Sequence, residues 1–195
     1  SATTKGPGGR QAMTSGRPAA ASGAATADGL RCVVQALDLL GETPIWCPRS
    51  RALWWIDIER PRLHRYDPAT GSHAERAFDT DYLGSLALRR AGGFLVALGS
   101  ALHTFDPESG TLAPFAAVED AALGNRLNDG RADAAGRFWI GSMDLSLHRP
   151  QGAFYCVHPD GRVVRQFDGI IVSNTVAIAP DQRTLERCRA LRDRH

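Results

Sequence analysis

One turn element occurs twice in this sequence at the spacing of a structural repeat, and it constrains the fold more than any other feature. Tyr-Asp-Pro-Ala-Thr-Gly at 66–71 returns as Phe-Asp-Pro-Glu-Ser-Gly at 105–110, 39 residues later, and a weaker copy lies at 157–161. A repeat of about 40 to 50 residues is the length of a four-stranded β-propeller blade. Because one blade cannot bury both of its faces alone, several blades must pack side by side.

The segments between these turns have the composition of short antiparallel strands. Aromatic and aliphatic runs at 53–56, 94–98 and 138–140 are bounded by Pro, Gly and Asp. Such runs between turn residues are typical of strands, and the longest stretch with helical potential, 183–194, lies at the end of the chain. We therefore predict an all-β fold in which residues 31–185 form three propeller blades and the beginning of a fourth.

Composition excludes several classes of protein. The 195 residues are 43% hydrophobic and 23% charged, which is a globular mixture, and no apolar run is long enough to span a membrane. The net charge of +2 is too weak to indicate nucleic-acid binding. Residues 1–30 and 185–195 each carry +2, so the intervening body is slightly acidic. We expect neither a nucleic-acid nor a membrane partner, and the oligomeric state stays open.

The two ends differ from the body in composition. Residues 1–30 are rich in Ala, Gly, Ser and Thr, and we predict a disordered extension without the apolar core of a secretory signal. Residues 186–195 form a basic tail without a strand pattern, as a shifted reading frame or a truncated gene model would produce. The four cysteines form no C-x-x-C pair, so we expect reduced thiols and a cytoplasmic protein.

Three motifs in the body carry a family resemblance. Gly-Glu-Thr-Pro-Ile-Trp occupies 41–46, and Asn-Arg-Leu-Asn-Asp-Gly-Arg begins a longer string at 125–144 that ends in Trp-Ile-Gly-Ser-Met-Asp. Ser-Asn at 173–174 and Ala-Pro-Asp at 179–181 follow. In this order and spacing, the motifs closely resemble the regucalcin/gluconolactonase family, also called senescence marker protein-like. The resemblance covers about residues 40 to 185, roughly the first half of such a protein.

The resemblance implies a six-bladed propeller, incomplete here, with one divalent metal ion on its axis, and hydrolysis of sugar lactones. It assigns Glu42 and Asn174 as metal ligands, and Arg126 and Asn128 as substrate-binding residues. The sequence departs from the family pattern at Thr175, where a Gly is expected. The family's third metal ligand and proposed general base is an Asp in a later blade, beyond position 195, so we identify no catalytic residue.

Elementary chemistry agrees with these roles. Carboxylate and amide oxygens suit Ca²⁺, Mg²⁺ or Mn²⁺, and Zn²⁺ also accepts oxygen ligands. A guanidinium and an amide can hold sugar hydroxyls and a developing oxyanion. Taken singly, however, Glu42, Asn128 and Asn174 are each consistent with an ordinary turn residue. Asp144 and Glu119 are further candidate pocket carboxylates, whereas the strand tryptophans are predicted to be core residues, namely Trp54, Trp55 and Trp139.

Three functions remain open from sequence. The first is a metal-dependent sugar lactonase, with activity impaired in a chain that supplies only two of the expected ligands. The second is a non-catalytic regulatory propeller that binds calcium or another divalent metal ion. The third is an interaction scaffold without metal, and the combination of Glu42 with Arg126 and Asn128 favours the first function over it.

Overall fold

The computed structural model describes residues 13–15 and 29–191, and this part of the chain is all-β, as predicted. Most of the predicted disordered extension and the last four residues lie outside the described residues. The first sheet has the strand order β1-β5-β4-β3-β2. Its strands are β1 Thr14–Ser15, β2 Gly41–Cys47, β3 Ala52–Asp57, β4 Arg62–Asp67 and β5 Ser72–Ala77.

The second sheet is a four-stranded antiparallel meander that packs against the first. Its strands are β6 Leu83–Leu88, β7 Phe94–Leu98, β8 Ala101–Phe105 and β9 Leu112–Ala117. A single 3₁₀ turn at Ala121–Leu123 leads to the third sheet and begins at Asp120, whose carboxylate accepts the Ala122 N–H. The repeated connection from each outermost strand to the next innermost strand is that of successive propeller blades.

The third sheet repeats the meander and then accepts one more strand pair. Its four strands are β10 Asn125–Ala132, β11 Phe138–Asp144, β12 Gly152–Val157 and β13 Val163–Ile170. Strands β14 (Val172–Ile178) and β15 (Leu185–Leu191) pair with each other, and β14 meets β11 at Val172 and Met143. The number of blades in a complete ring stays a prediction.

The apolar core lies between the sheets. Trp54 and Ile56 of the first sheet pack with Phe94 of the second, and Leu95 of the second packs with Ile140 of the third. Because Phe94 and Leu95 are consecutive, alternate side chains of the second sheet point towards the first and the third sheet. The second sheet is therefore buried on both faces. Of the three tryptophans predicted to be core residues, Trp54 is confirmed at 3% exposed. The prediction is wrong for Trp55 and Trp139, which are half-buried because their positions on β3 and β11 alternate with those that face the core.

The repeated turns form as the sequence predicts. The Asp67 carboxylate accepts the Ala69 N–H at 3.0 Å, and the Asp106 carboxylate accepts the Glu108 N–H at 2.9 Å. Each turn ends on a glycine with φ of 70°, at Gly71 and Gly110. These aspartate turns join β4 to β5 in the first sheet and β8 to β9 in the second.

The helical potential of 183–194 is overridden by strand pairing. Residues Leu185–Leu191 form β15, which lies antiparallel to β14 from Ile178↔Leu185 to Val172↔Leu191. Intrinsic helix propensity is a weak preference, and the unpaired backbone groups of β14 outweigh it. The strand crosses the predicted boundary at residue 186, while the origin of the tail sequence stays a prediction. In the part of the chain that the structure describes, no helix has the length and apolarity needed to cross a bilayer.

Candidate metal and substrate site

The predicted site residues lie on β2, β10 and β14, at places where the strand pairing is irregular. Register shifts fall between Glu42 and Ile45 in β2, between Leu127 and Gly130 in β10, and between Asn174 and Ala177 in β14. A β-bulge turns a side chain away from the regular alternation of a strand and is common beside functional sites. Such a shift also occurs in β6, between Leu83 and Ser85. We call these four strands, β2, β6, β10 and β14, the inner strands.

Asn128 links two neighbouring inner strands. Its Oδ1 accepts a hydrogen bond from Arg126 Nη1 at 2.6 Å, and its Nδ2 donates to the Ser173 carbonyl of β14 at 2.7 Å. Both Arg126 and Asn128 are buried. The structure therefore brings Arg126 and Asn128 together with Ser173, the residue that immediately precedes Asn174.

The Arg126 guanidinium lies over an aromatic ring. Its Cζ is 5.4 Å from the Tyr82 ring centroid, and Nη1 also donates to the Leu127 carbonyl at 3.2 Å. Burial lowers the pKa of Arg126, whereas the charges of Tyr82, Glu59 and Glu42 oppose that change. Arginine remains a cation in proteins, so Arg126 is a fixed positive charge within electrostatic range of the Glu42 carboxylate.

Glu42 and Asn174 share a local geometry. Glu42 Oε2 accepts the N–H of Thr43 at 3.3 Å, and Asn174 Oδ1 accepts the N–H of Thr175 at 2.9 Å. Thr43 and Thr175 have left-handed φ angles of 51° and 53°. Residue 175, where the family pattern has Gly, therefore has a positive φ angle. A β-branched residue such as threonine adopts a positive φ angle only at a cost in free energy.

The donor chemistry of this region fits part of a hard-cation site. Glu42 is exposed and Asn174 is half-buried, and a side-chain oxygen of each accepts the N–H of the next residue. Among the described residues, no group of three or more His, Cys, Asp or Glu side chains has the geometry of a metal site. Since Ca²⁺ takes six to eight oxygen ligands, Glu42 and Asn174 supply a fraction of a coordination shell.

Asp144 and Glu119, the two further candidate carboxylates, have structural partners in the third sheet. Asp144 is buried and accepts from Arg149 Nη2 at 2.7 Å, and this bond leads the contacts that hold the pKa of Asp144 far below its ordinary value. Glu119 accepts from Ser142 Oγ at 2.6 Å and from Tyr155 Oη at 2.5 Å. Both carboxylates therefore brace loops and strands of that sheet.

Sequence reasoning missed two residues at this site. Tyr82 immediately precedes β6 and provides the ring beneath Arg126, while Glu59 follows β3 and adds a negative charge facing the same guanidinium. Neither belongs to a recognisable motif. Their common signal is position, because Tyr82 lies directly before the inner strand β6 and Glu59 lies just after β3, which pairs with the inner strand β2.

A family comparison matches the part of the chain that contains all these residues. Residues 40–185 match the SMP-30/gluconolactonase/LRE-like region. The chain belongs to this family. The resemblance drawn from the three motifs is thereby confirmed, and the all-β structure agrees with the propeller architecture of its structural neighbours.

Individual relatives of the SMP-30/gluconolactonase family cover about the same region. A 6-deoxy-6-sulfogluconolactonase from Pseudomonas putida is 37% identical over 153 residues, which is 78% of this chain and 52% of that protein. Regucalcin from Xenopus laevis is 32% identical over 161 residues, which is 80% of this chain and 54% of that protein. The chain thus spans about half the length of these curated relatives.

Solved structures match the fold. A calcium-binding protein, regucalcin, from Agrobacterium tumefaciens superposes with a TM-score of 0.72 at 33% identity, covering 78% of this chain and 51% of that one. A gluconolactonase from Xanthomonas campestris gives a TM-score of 0.65 at 21% identity, covering 78% of this chain and 55% of that one. The second likeness shows the fold alone.

Proposed function

We propose that this chain carries the substrate-binding residues and part of the metal site of a sugar lactonase. The observation that carries the proposal is the bond from Asn128 to the Ser173 carbonyl, which joins the Arg126–Asn128 pair to the strand of Asn174. The name of the Pseudomonas putida relative, a 6-deoxy-6-sulfogluconolactonase, supports the reaction class. The choice of sugar lactone stays open, because specificity depends on loops around the pocket.

In this proposal, Glu42 and Asn174 hold one divalent cation. A carboxylate and an amide carbonyl are hard donors that suit Ca²⁺, Mn²⁺, Mg²⁺ or Zn²⁺, and their left-handed neighbours Thr43 and Thr175 fix the local backbone. When bound, such an ion supplies Lewis-acid polarisation of a lactone carbonyl. The calcium-binding description of the Agrobacterium relative supports a divalent ion in the family.

Arg126 and Asn128 act on the substrate. The Tyr82 ring and two acceptors at Nη1 fix the Arg126 guanidinium, so its remaining N–H groups are preorganised for a sugar hydroxyl or a developing oxyanion. Because Arg126 is buried, its charge acts at low local dielectric and is stronger than it would be in water. We assign no general base to the described residues.

We further propose that this polypeptide alone binds a metal ion weakly and has little or no lactonase activity. It supplies two of the three metal ligands that the family resemblance implies. Titration calorimetry with Ca²⁺, Mn²⁺ and Zn²⁺ measures this directly. A stoichiometric site with micromolar affinity would contradict the proposal of weak binding.

Glu42→Gln tests the metal site. The substitution removes the charge at nearly constant size, so we expect at least a tenfold loss of whatever divalent-ion affinity the chain has. Glu108→Gln is the matched control, because Glu108 is an exposed carboxylate in the turn between β8 and β9. Equal affinities for the two variants would exclude Glu42 as a ligand.

A non-catalytic calcium-binding role is the second candidate, favoured by the regucalcin relatives. An assay of D-glucono-δ-lactone hydrolysis with and without a chelator separates the two. Chelator-sensitive hydrolysis above the spontaneous rate supports the lactonase, whereas calcium binding without hydrolysis supports the regulatory role. Under the interaction-scaffold alternative, Glu42→Gln changes neither measurement.

A further inference from the structure

Three aromatic rings stack across β3, β4 and β5 of the first sheet. The Trp55 ring centroid lies 4.9 Å from that of His64 and 5.5 Å from that of His73, with interplanar angles of 11° and 14°. The three residues lie on β3, β4 and β5, respectively. Both imidazoles therefore lie against one indole, side by side across adjacent strands.

The two imidazoles are also in edge contact. His64 Nδ1 lies 3.0 Å from His73 Nε2, and His64 is 1% exposed. A hydrogen bond between two ring nitrogens requires one donor and one acceptor. When both rings are charged, both facing nitrogens carry protons, so the contact cannot persist.

The far side of His64 faces a carboxylate. His64 Nε2 lies 3.2 Å from Asp38 Oδ1, but this contact lacks hydrogen-bond alignment, and Nε2 has no hydrogen-bond partner among the described residues. Asp38 Oδ2 accepts instead from Trp55 Nε1 at 2.8 Å. A chain of polar groups therefore runs from half-buried His73 through buried His64 to Asp38.

Asp38 belongs to an irregular segment, residues 29–40, which we call the strap. Besides the Asp38 contacts, Asp57 accepts the N–H groups of Leu39 at 2.9 Å and Leu40 at 3.1 Å. Arg60 donates to the Leu37 carbonyl at 3.1 Å. The strap leucines are exposed, so polar groups rather than apolar burial hold the strap on the first sheet.

Charged and titratable groups surround the two histidines. They come from the strap and from all three strands that carry the ring stack, namely Asp38, Asp57, Arg62, Tyr66 and Glu75. Burial lowers the pKa of His64 and of His73, whereas the nearby carboxylates partly oppose that change. Burial raises the pKa of Asp57, but the N–H groups of Leu39, Leu40 and Arg60 outweigh it and lower the pKa overall.

We propose that the Asp38–His64–His73 chain is an acid-sensitive latch, closed at neutral pH and opened in mild acid, that holds the strap on the first sheet. In the closed state both rings are neutral. As both rings gain protons, the edge contact breaks, His73 turns towards solvent, and water reaches His64 and Asp38. The strap is then held by fewer bonds, those to Asp57, Ile58 and Arg60, so the Leu39 and Leu40 amides are exposed to solvent more often.

Proton linkage determines the pH range in which the closed state of the latch is stable. Because the closed state has histidine pKa values below the ordinary value of about 6.5, an opened state binds more protons below that pH. The closed state is therefore fully favoured above about pH 6.5 and loses stability as pH falls towards the lowered pKa values. Opening also changes the surroundings of β2, because Asp38 packs against Gly41, its first residue. A Cβ added to Gly41 would lie 3.0 Å from Asp38 Oδ2.

Hydrogen exchange of the Leu39 and Leu40 amides tests the latch on the whole chain. Between pH 7.5 and 5.0, we expect their protection, corrected for the intrinsic exchange rate, to fall at least tenfold while the amides of β7 stay protected. Trp55 fluorescence should change over the same pH range, because its ring loses the imidazole contact. Constant protection across this range would overturn the proposal.

Two variants separate the latch from general acid sensitivity. His73→Phe keeps a stacked ring without a titratable group, so protection of Leu39 and Leu40 should become independent of pH. His148→Gln, at an exposed histidine, should keep the pH profile of the original chain. A His73→Phe profile equal to that of the original chain would contradict the latch.

A measurement on the unaltered chain decides the question if His73→Phe does not fold. Nitrogen NMR shifts of the imidazoles report the protonation state of each ring. Neutral His64 and His73 at pH 7, titrating in the same range as the loss of amide protection, support the latch. Charged rings at pH 7, or titration outside that range, overturn it.

Discussion

Left-handed backbone occurs in two parts of the sheets with different residues. In the aspartate turns between β4 and β5 and between β8 and β9, φ of 70° falls on Gly71 and Gly110, where it costs little. In the inner strands, φ of 51° and 53° falls on Thr43 and Thr175, directly after the proposed metal ligands. Threonine is β-branched and strained in this region.

Of these two regions, only the inner strands carry strained backbone. The aspartate turns repeat one solution, with a carboxylate accepting a backbone N–H and a glycine completing the turn. The inner strands instead combine bulges, strained threonines and close backbone contacts around the proposed site. Strain of this kind persists only where surrounding structure imposes it, and it is concentrated at functional sites.

The largest expected effect comes from placing a side chain between inner strands. A Cβ on Gly84 would lie 2.0 Å from the Leu127 carbonyl oxygen of β10, so Gly84→Ala must push two backbones apart. We expect a loss of about 3 kcal/mol or more in the free energy of unfolding, measured by urea denaturation.

Gly99→Ala is the control for Gly84→Ala. Gly99 has φ of 58°, and a Cβ there would have no atom within 4 Å. This variant should therefore show only the backbone cost of about 1 kcal/mol. Equal losses for the two variants would mean that close packing does not distinguish the inner strands.

Asn128→Leu is expected to have the next largest effect. The side chains are similar in size, but leucine loses the bonds to Arg126 Nη1 and to the Ser173 carbonyl, which belong to two buried residues. We expect a loss of about 2 kcal/mol in the free energy of unfolding, measured by urea denaturation. Ser109→Ala, which removes an exposed turn hydroxyl, should change stability by less than about 0.5 kcal/mol. A similar small change for Asn128→Leu would argue against the link between strands.

The regular part of the molecule was predictable because its causes are local. The run at 94–98 forms β7 over those same residues, and the repeated Asp-Pro turns form at 67–71 and 106–110. Strand pairing determines the structure at Leu185–Leu191, where β15 forms although the local sequence has helical potential and no strand pattern. Propensity acts within a few residues, whereas strand pairing depends on what lies alongside.

The membership of the candidate site stays a prediction, and its contacts could not be derived from the sequence. Motif resemblance selected Arg126 and Asn128, but the bond that joins them to β14 spans 45 residues and has no local signature. Nor did the sequence distinguish Asp144 as a partner of Arg149 from a pocket carboxylate. The stack of Trp55 on two histidines likewise depends on strand register, which one sequence does not reveal.

Gly71→Ala examines the aspartate turns. Gly71 has φ of 70°, and a Cβ added there would meet no atom within 4 Å, so the cost is conformational rather than steric. We expect thermal or urea unfolding to report a loss of about 1 kcal/mol, and Gly110→Ala should give the same value within about 0.3 kcal/mol. Unequal losses would show that the two turns are not equivalent despite their shared sequence.

Thr175→Gly should give the smallest effect and the opposite sign. Glycine adopts φ of 53° without the strain of a β-branched residue, although it increases the entropy of the unfolded chain. We expect a net gain of about 0.5 kcal/mol in the free energy of unfolding, measured by urea denaturation. Thr104→Gly is the matched control in the regular strand β8, and it should lose about 1 kcal/mol. If both threonine variants lose stability equally, Thr175 is not strained, and the contrast between inner strands and aspartate turns fails at the residue beside the proposed ligand Asn174.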